Sequence, residues 1–218
     1  MLEYVYFIYN IIDGDMLKKS IKDGKLLYHL TALSNIESIL MHGLKPRASL
    51  SENFRDVAEQ DIINFRNQNN ISNLIPFHFF VGTPFAGRVQ KDNMDEEFIY
   101  ITLHRNTAKN KKNNFKIFPT HPKHMNPLQI FDYDAGLEEI DWNLMDKRDY
   151  KDIECKEVCM AECVGIHSSV PADAFHSIIV KSEETKKLLE ELCQKLYNNN
   201  CKPKFFIDVN NYNFVGKK

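Results

Sequence analysis

Apolar positions along this chain fall into short runs separated by glycine, proline, asparagine and charge. The run LLYHLT, Leu26 to Thr31, is compact and apolar with one histidine set in it, and it predicts a strand. NIESILMH, Asn35 to His42, carries Ile36, Ile39 and Leu40 at helical spacing, with Ser34 as N-cap, Glu37 three residues on, and Gly43 as the stop. Pro46 to Arg55 reads as a polar loop, and Val57 to Arg66 as a helix with a ragged apolar face. Leu74 to Val81, LIPFHFFV, and Phe98 to Leu103, FIYITL, predict two more strands from their aromatic and β-branched content. Lys109 to Asn114 is a charged surface turn before Phe115 to Phe118.

Gly136 to Met145 predicts one short helix carrying the single tryptophan, with Trp142 as a core residue, and Asp146 to Glu157 a charged loop. Phe175 to Val180 and Lys204 to Val209 predict strands. Between them Ser182 caps an amphipathic helix to Tyr197 that turns Leu188, Leu189, Leu192 and Leu196 inward. The sum is a single-domain α+β fold with a mixed or antiparallel β core and flanking helices.

The first residues, MLEYVYFIYNII, are apolar but too short to span a bilayer, and they lack the basic start and cleavage site of a signal peptide. They predict a packed strand or short helix. Asp13-Gly14-Asp15 breaks the segment, and Met16 to Lys22 forms a short helix ended by Gly24. Residues 1–24 are thus an N-terminal extension to a domain of 25–218.

Composition narrows the class. The net charge is −2 and 27% of residues are charged, so a nucleic-acid site must be a local patch rather than a global field. Five cysteines, an odd number, exclude a complete disulfide framework and fit reduced, buried thiols of a cytoplasmic protein. Cys155, Cys159 and Cys163 lack thiol-typical metal spacing and a fourth ligand, so no metal is expected. His121 and His124 stand in a proline-bracketed loop as surface or ligand-facing groups. Glycine-rich phosphate loops, nucleophile elbows and Walker motifs are absent.

One residue is out of place. In KEVCMAECV, Lys156 to Val164, Glu162 sits alone among Met160, Ala161, Cys163 and Val164. An ionised carboxylate in an apolar strand costs several kcal/mol unless a charge or hydrogen bond meets it. Either the strand is an edge with Glu162 in water, or the carboxylate has a task in a cleft.

Five blocks in order decide between these. YHLTALSNIESILMHGL, DVAEQDIINFR, LIPFHFFVGTPF, EEIDWNLMDKRDY and ECKEVCMAECV together resemble the DarT family, bacterial ADP-ribosyltransferase toxins acting on bases of single-stranded DNA. The resemblance runs from about Leu27 to Phe214. It implies an ADP-ribosyltransferase-like fold, NAD as co-substrate and single-stranded DNA as acceptor. It further implies a toxin role with a macrodomain-type antitoxin as partner, and no membrane. Glu162 takes the place of the family's catalytic glutamate and Arg66 that of its functional arginine. The chain departs from the family pattern at Ala32, at His78 where the family has tyrosine, and in a basic run reduced to Lys156.

The chemistry needs these residue types. ADP-ribosyl transfer breaks the nicotinamide–ribose bond through an oxocarbenium-like state, and a carboxylate on the ribose 2′-hydroxyl offsets the growing charge, a role for Glu162. Arg66 offers a fixed fork of donors for the diphosphate or the target base. His29 and Thr31, alternate residues of one strand, face one side and can bind ribose or nicotinamide amide, with Asn35 at the adjoining helix start. Phe77 and Phe79 alternate with His78, so one side of that strand packs and the other can stack on nicotinamide. Lys147, Arg148 and Lys156, before the catalytic strand, are the expected phosphate contacts. Two other readings stay open here: transfer to RNA or protein, and a silent NAD- or nucleic-acid-binding module.

Overall fold

The structure, a computed structural model, describes residues 19–50, 54–56, 59–197, 204–211 and 214–215. The expected N-terminal strand or helix, and most of the helix expected over Met16 to Lys22, lie outside these residues. The strands are β1 (Leu26–Ala32), β2 (Ile75–Phe77), β3 (Phe98–His104), β4 (Lys116–Phe118), β5 (Phe131–Asp132), β6 (Glu162–Gly165), β7 (Ser177–Val180) and β8 (Phe206–Val209). The helices are α1 (Ile36–His42), α2 (Gln60–Gln68), α3 (Pro84–Asp92), α4 (Arg105–Lys109), α5 (Tyr133–Glu138), α6 (Trp142–Lys147), α7 (Ile153–Val158) and α8 (Glu183–Tyr197). One sheet has the order β1-β3-β7-β8 and the other β2-β6-β4-β5. All pairings are antiparallel except β7 with β8.

The sheets meet at a seam that sets up everything else. Tyr28 of β1 and His78, just past β2, exchange backbone hydrogen bonds of 2.9 and 2.8 Å. One apolar cluster then runs through both sheets, joining Leu27, Ile99 and Ile101 to Ile75, Phe77, Ile117 and Cys163. Arg105 is buried in it as a brace, its guanidinium donating to the carbonyls of Ile21, Lys22, Leu26 and Phe79 at 2.8–3.2 Å. Buried carbonyls need such donors, since an unpaired one costs about as much as a lost hydrogen bond.

Several elements differ from the sequence-based expectation, each for a local reason. The strand expected over Leu74 to Val81 stops at Phe77, because His78 leaves β6 to pair with β1. The single helix expected over Gly136 to Met145 is two, since the Asp141 side chain accepts from Leu144 N at 2.8 Å and starts α6 afresh. The loop expected over Asp146 to Glu157 is largely helical: Asp152 caps α7 through the amides of Glu154 and Cys155, and Cys155 and Val158 turn inward. Leu188 is 53% exposed, while Thr185, Leu189 and Cys193, at a four-residue step, form the buried face of α8. Trp142 is a core residue as expected, its indole donating to Leu137 O.

Candidate active site

Three chain segments converge on Glu162. Strand β6 begins with it, directly after the turn that closes α7, and Phe118 of β4 is its cross-strand partner. Helix α2 brings Arg66 from its last turn, and the β1–β2 seam brings His78. The Glu162 carboxylate is buried, 3% exposed, and Arg66 Nη2 donates to Oε1 at 2.6 Å and Oε2 at 2.5 Å. These are short, charge-assisted contacts. Burial by itself pushes the Glu162 carboxyl up, but the Arg66 charge, with His78, the Arg66 hydrogen bonds and His121, holds it below the usual carboxylate range. The edge-strand alternative is therefore excluded by its burial and its partner.

Glu162 and Arg66 lie in a cavity of about 260 Å³ that also takes in His29, Thr31, Ser34, Asn35, His78, Phe85 and His121. His29 Nδ1 contacts Pro76 O at 2.8 Å, and burial lowers the ring to about 4. His78 Nδ1 contacts Ala161 O, next to Glu162, at 3.1 Å, and burial lowers it although Glu162 pulls the other way. His121 is lowered to about 4, again by burial against Glu162. The three rings are neutral at pH 7 and can serve as hydrogen-bond donors and acceptors at once.

Thr31 accepts from Asn35 Nδ2 at 3.2 Å. Asn35 also grips the Arg55 backbone from both sides, donating to its carbonyl and accepting from its amide at 3.1 Å each. It thus holds the chain that walls the cavity. Phe77 and Phe79 are buried in the core and are not among the cavity-lining residues; on this strand it is His78 that faces the cavity. Lys147 and Arg148 end α6 and Lys156 lies on α7; all three are exposed and none lines the cavity. Arg148 lies over the Phe80 ring at 4.9 Å.

His121 and Phe85 were not among the expected site residues. Phe85 had a readable signal, Thr83-Pro84, which starts α3 with the threonine side chain accepting from Ala86 N and aims Phe85 at His78, ring centroids 5.6 Å apart. His121 was open between a surface and a ligand-facing role, because nothing local in a proline-bracketed loop decides which until β4 carries it beside Glu162. No group of three or more metal-capable side chains occurs among the described residues.

The donor set fits a nucleotide: a carboxylate and an arginine at depth, neutral imidazoles around them, and hydroxyl and amide groups on β1 and its adjoining helix. His121 adds a buried ring nitrogen that has no hydrogen-bond partner among the described residues. Comparison with known proteins agrees. The sequence profile of the family described as "DarT: ssDNA thymidine ADP-ribosyltransferase, DarT" matches residues 28–212. No curated protein matches in sequence. Among solved structures, Thermus sp. 2.9 DarT in complex with ADP-ribosylated ssDNA superposes with a TM-score of 0.73 at 17% identity, covering 88% of this chain and 96% of that one. The same protein in complex with NAD+ gives 0.67 at 16% identity, over 88% and 98%. Thermosipho africanus DarTG in complex with ADP-ribose gives 0.66 at 19% identity, over 87% of this chain and 51% of that one. At these identities the superpositions establish the fold.

Proposed function

This chain belongs to the DarT family of ssDNA thymidine ADP-ribosyltransferases, and from that premise we propose how its own residues carry out the transfer. The reaction moves ADP-ribose from NAD to a base in single-stranded DNA, which the family description gives as thymidine. NAD supplies an electrophilic ribose carbon when nicotinamide leaves. Glu162 binds the ribose hydroxyl next to that carbon and offsets the positive charge that develops there. Arg66 keeps Glu162 ionised and aimed, so the carboxylate is ready before substrate arrives. His29 and Thr31 bind the nucleotide on the β1 side, Asn35 holds the cavity wall through Arg55, and His78 with Phe85 forms the face on which the nicotinamide rests.

The observation that carries this reading is the buried Arg66–Glu162 pair at the bottom of a cavity, a costly arrangement for stability alone. We further propose that the enzyme acts in the cytoplasm as a toxin restrained by a macrodomain-type antitoxin. Support comes from the family resemblance and from the described residues, which contain no helix long and apolar enough to cross a membrane. The test is incubation with labelled NAD and separate pools of single-stranded DNA, duplex DNA, RNA and protein. Label on thymidine of the single strand is the expected result, and label confined to RNA or protein overturns the acceptor.

A further inference from the structure

We propose that His121 accepts the proton displaced from the acceptor base, and that His124, paired with Glu157, passes it to solvent. The inference rests on the transfer reaction above and gives it a proton exit. When ADP-ribose moves to a base N–H, the new carbon–nitrogen bond forms as the ribose–nicotinamide bond breaks. The electron pair of the broken bond leaves on the nicotinamide nitrogen, which becomes neutral. The base then has one proton too many, and a group in the cavity must take it.

The other polar side chains around the carboxylate are less well placed to export a proton. Arg66 carries its full complement of protons and spends its Nη2 on the carboxylate. Glu162 is held ionised by that same contact and is occupied with the ribose. His78 and His29 each donate from Nδ1 to a carbonyl, Ala161 O and Pro76 O, which leaves a lone pair on Nε2. Their rings stand against Phe85 and Phe77, and not against a second histidine that could carry a proton outward. His121 differs: it lines the same cavity, is 5% exposed, and its Nδ1 makes no hydrogen bond among the described residues. Buried polar atoms are left unpaired rarely, and chiefly where a ligand or a reaction uses them.

The backbone holds His121 in place on one side and hands it to the surface on the other. Its amide donates to Glu157 O at 3.1 Å, which ties it to the end of α7, the helix leading into Glu162. His124 N donates back to His121 O at 3.0 Å, and the two rings stand 5.4 Å apart between centroids. His124 is 47% exposed in its side chain, and its Nδ1 lies 3.3 Å from Glu157 Oε1. The charged and titratable groups acting on His121 are Glu162, His124, Arg66 and His78. A proton on His121 is held weakly there, because burial disfavours the imidazolium. It moves outward to a ring that water and the Glu157 carboxylate can stabilise.

The test separates this role from binding. His121→Gln keeps a polar side chain that cannot carry a proton. Its single-turnover transfer to a thymidine-containing single strand should fall by roughly a hundredfold or more. The NAD-induced rise in melting temperature and the anisotropy-measured affinity for the same strand should stay as in wild type. Imidazole in the buffer should restore part of the rate to His121→Gly. His124→Gln should be slow in dilute buffer and recover as buffer concentration rises. Nitrogen-15 spectra of the histidine rings should show His121 neutral at pH 7. The proposal is overturned if His121→Gln transfers within about threefold of wild type. It is equally overturned if the loss follows NAD or DNA affinity, if His121 is doubly protonated at pH 7, or if the His124→Gln rate ignores the buffer. If the His121 variants fail to fold, the His124→Gln buffer series decides the matter. A wild-type enzyme that leaves single-stranded DNA unlabelled defeats the acceptor assignment instead, a separate result.

Discussion

At Glu162 two energetic demands meet, and the variant Glu162→Gln separates them. Loss of one preorganised charge at the reacting centre costs about 3 kcal/mol, roughly a hundredfold in rate. Single-turnover transfer should fall by that much while the NAD-induced melting shift changes little, because the charge matters chiefly as the bond breaks. Stability responds in the opposite sense to the one an isolated buried carboxylate suggests. Without a partner, neutralising Glu162 relieves a burden; with Arg66 at 2.5–2.6 Å, it strips a buried cation of its counter-charge. Truncating one member of such a pair typically costs ~3–5 kcal/mol. Glu162→Ala should therefore melt well below wild type, with Glu162→Gln between them, as scanning calorimetry can establish.

The same cluster makes the fold sensitive to acid. Burial lowers His29 and His121 from 6.5 to about 4, so below pH 6.5 the unfolded chain takes up protons that the folded one refuses. Stability is then whole above pH 6.5 and declines as the pH falls toward 4. Glu162, also lowered, stabilises above its unfolded value of 4.5 and adds to the loss on further acidification through its folded value. Urea midpoints should drop steadily from neutral pH to about pH 4.5, with a shallower drop in His121→Gln; a flat profile contradicts these shifts.

Among the elements, the helix–strand contact beneath the site has no slack. A Cβ added at Gly136 of α5 would lie 2.4 Å from Ile117 Cβ and 2.9 Å from its Cγ2, in the middle of β4. Gly136→Ala should destabilise by about 1–3 kcal/mol, the usual cost of overpacking. Ile117→Val should give no relief in the double variant, because valine keeps the Cβ, Cγ1 and Cγ2 that the new methyl meets, as denaturant midpoints can establish. The rate should suffer too, since β4 pairs with β6 at Phe118–Glu162. Gly43 has a different reason to be glycine: at φ +78° it closes α1 and turns the chain so that Leu44 can bridge Val170.

For the whole molecule, binding is the measurable property. NAD should raise the melting temperature by mass action, and His29→Ala should reduce that shift; an unchanged curve at millimolar NAD removes the cavity as its site. With a net charge of −2, affinity for DNA depends on local cations. Lys147, Arg148 and Lys156 are exposed near the catalytic strand but outside the cavity, where phosphates rather than the reacting base would pass. Replacing all three by alanine should weaken single-strand binding and flatten its salt dependence, leaving NAD binding untouched. Duplex of the same sequence should react far less, since a paired base has its edge occupied and its neighbours stacked.

What the amino-acid order determined by itself is whatever short range decides. Short apolar runs rich in β-branched and aromatic residues placed β1, β3 and β7, and helical spacing with a glycine stop placed α1. The family's motifs marked Glu162 and Arg66, because a glutamate among apolar residues is anomalous wherever it falls. Side-chain caps were readable in principle at Asp141 and Asp152, yet α5 and α6 ran together as one expected helix and the charge around Asp152 masked α7 as loop. Tertiary structure alone decided the rest, because the deciding partners are far apart in sequence. Which face of LIPFHFFV is buried depends on Tyr28, some fifty residues away, pulling His78 into the seam. Whether Glu162 is burden or support depends on Arg66, 96 residues earlier. His121 became part of the site only because β4 pairs with β6 and sets the loop beyond it against the carboxylate. Local pattern selects elements through backbone preference and burial of one face; the environment of a charge is set by whatever the folded chain brings within a few ångströms of it.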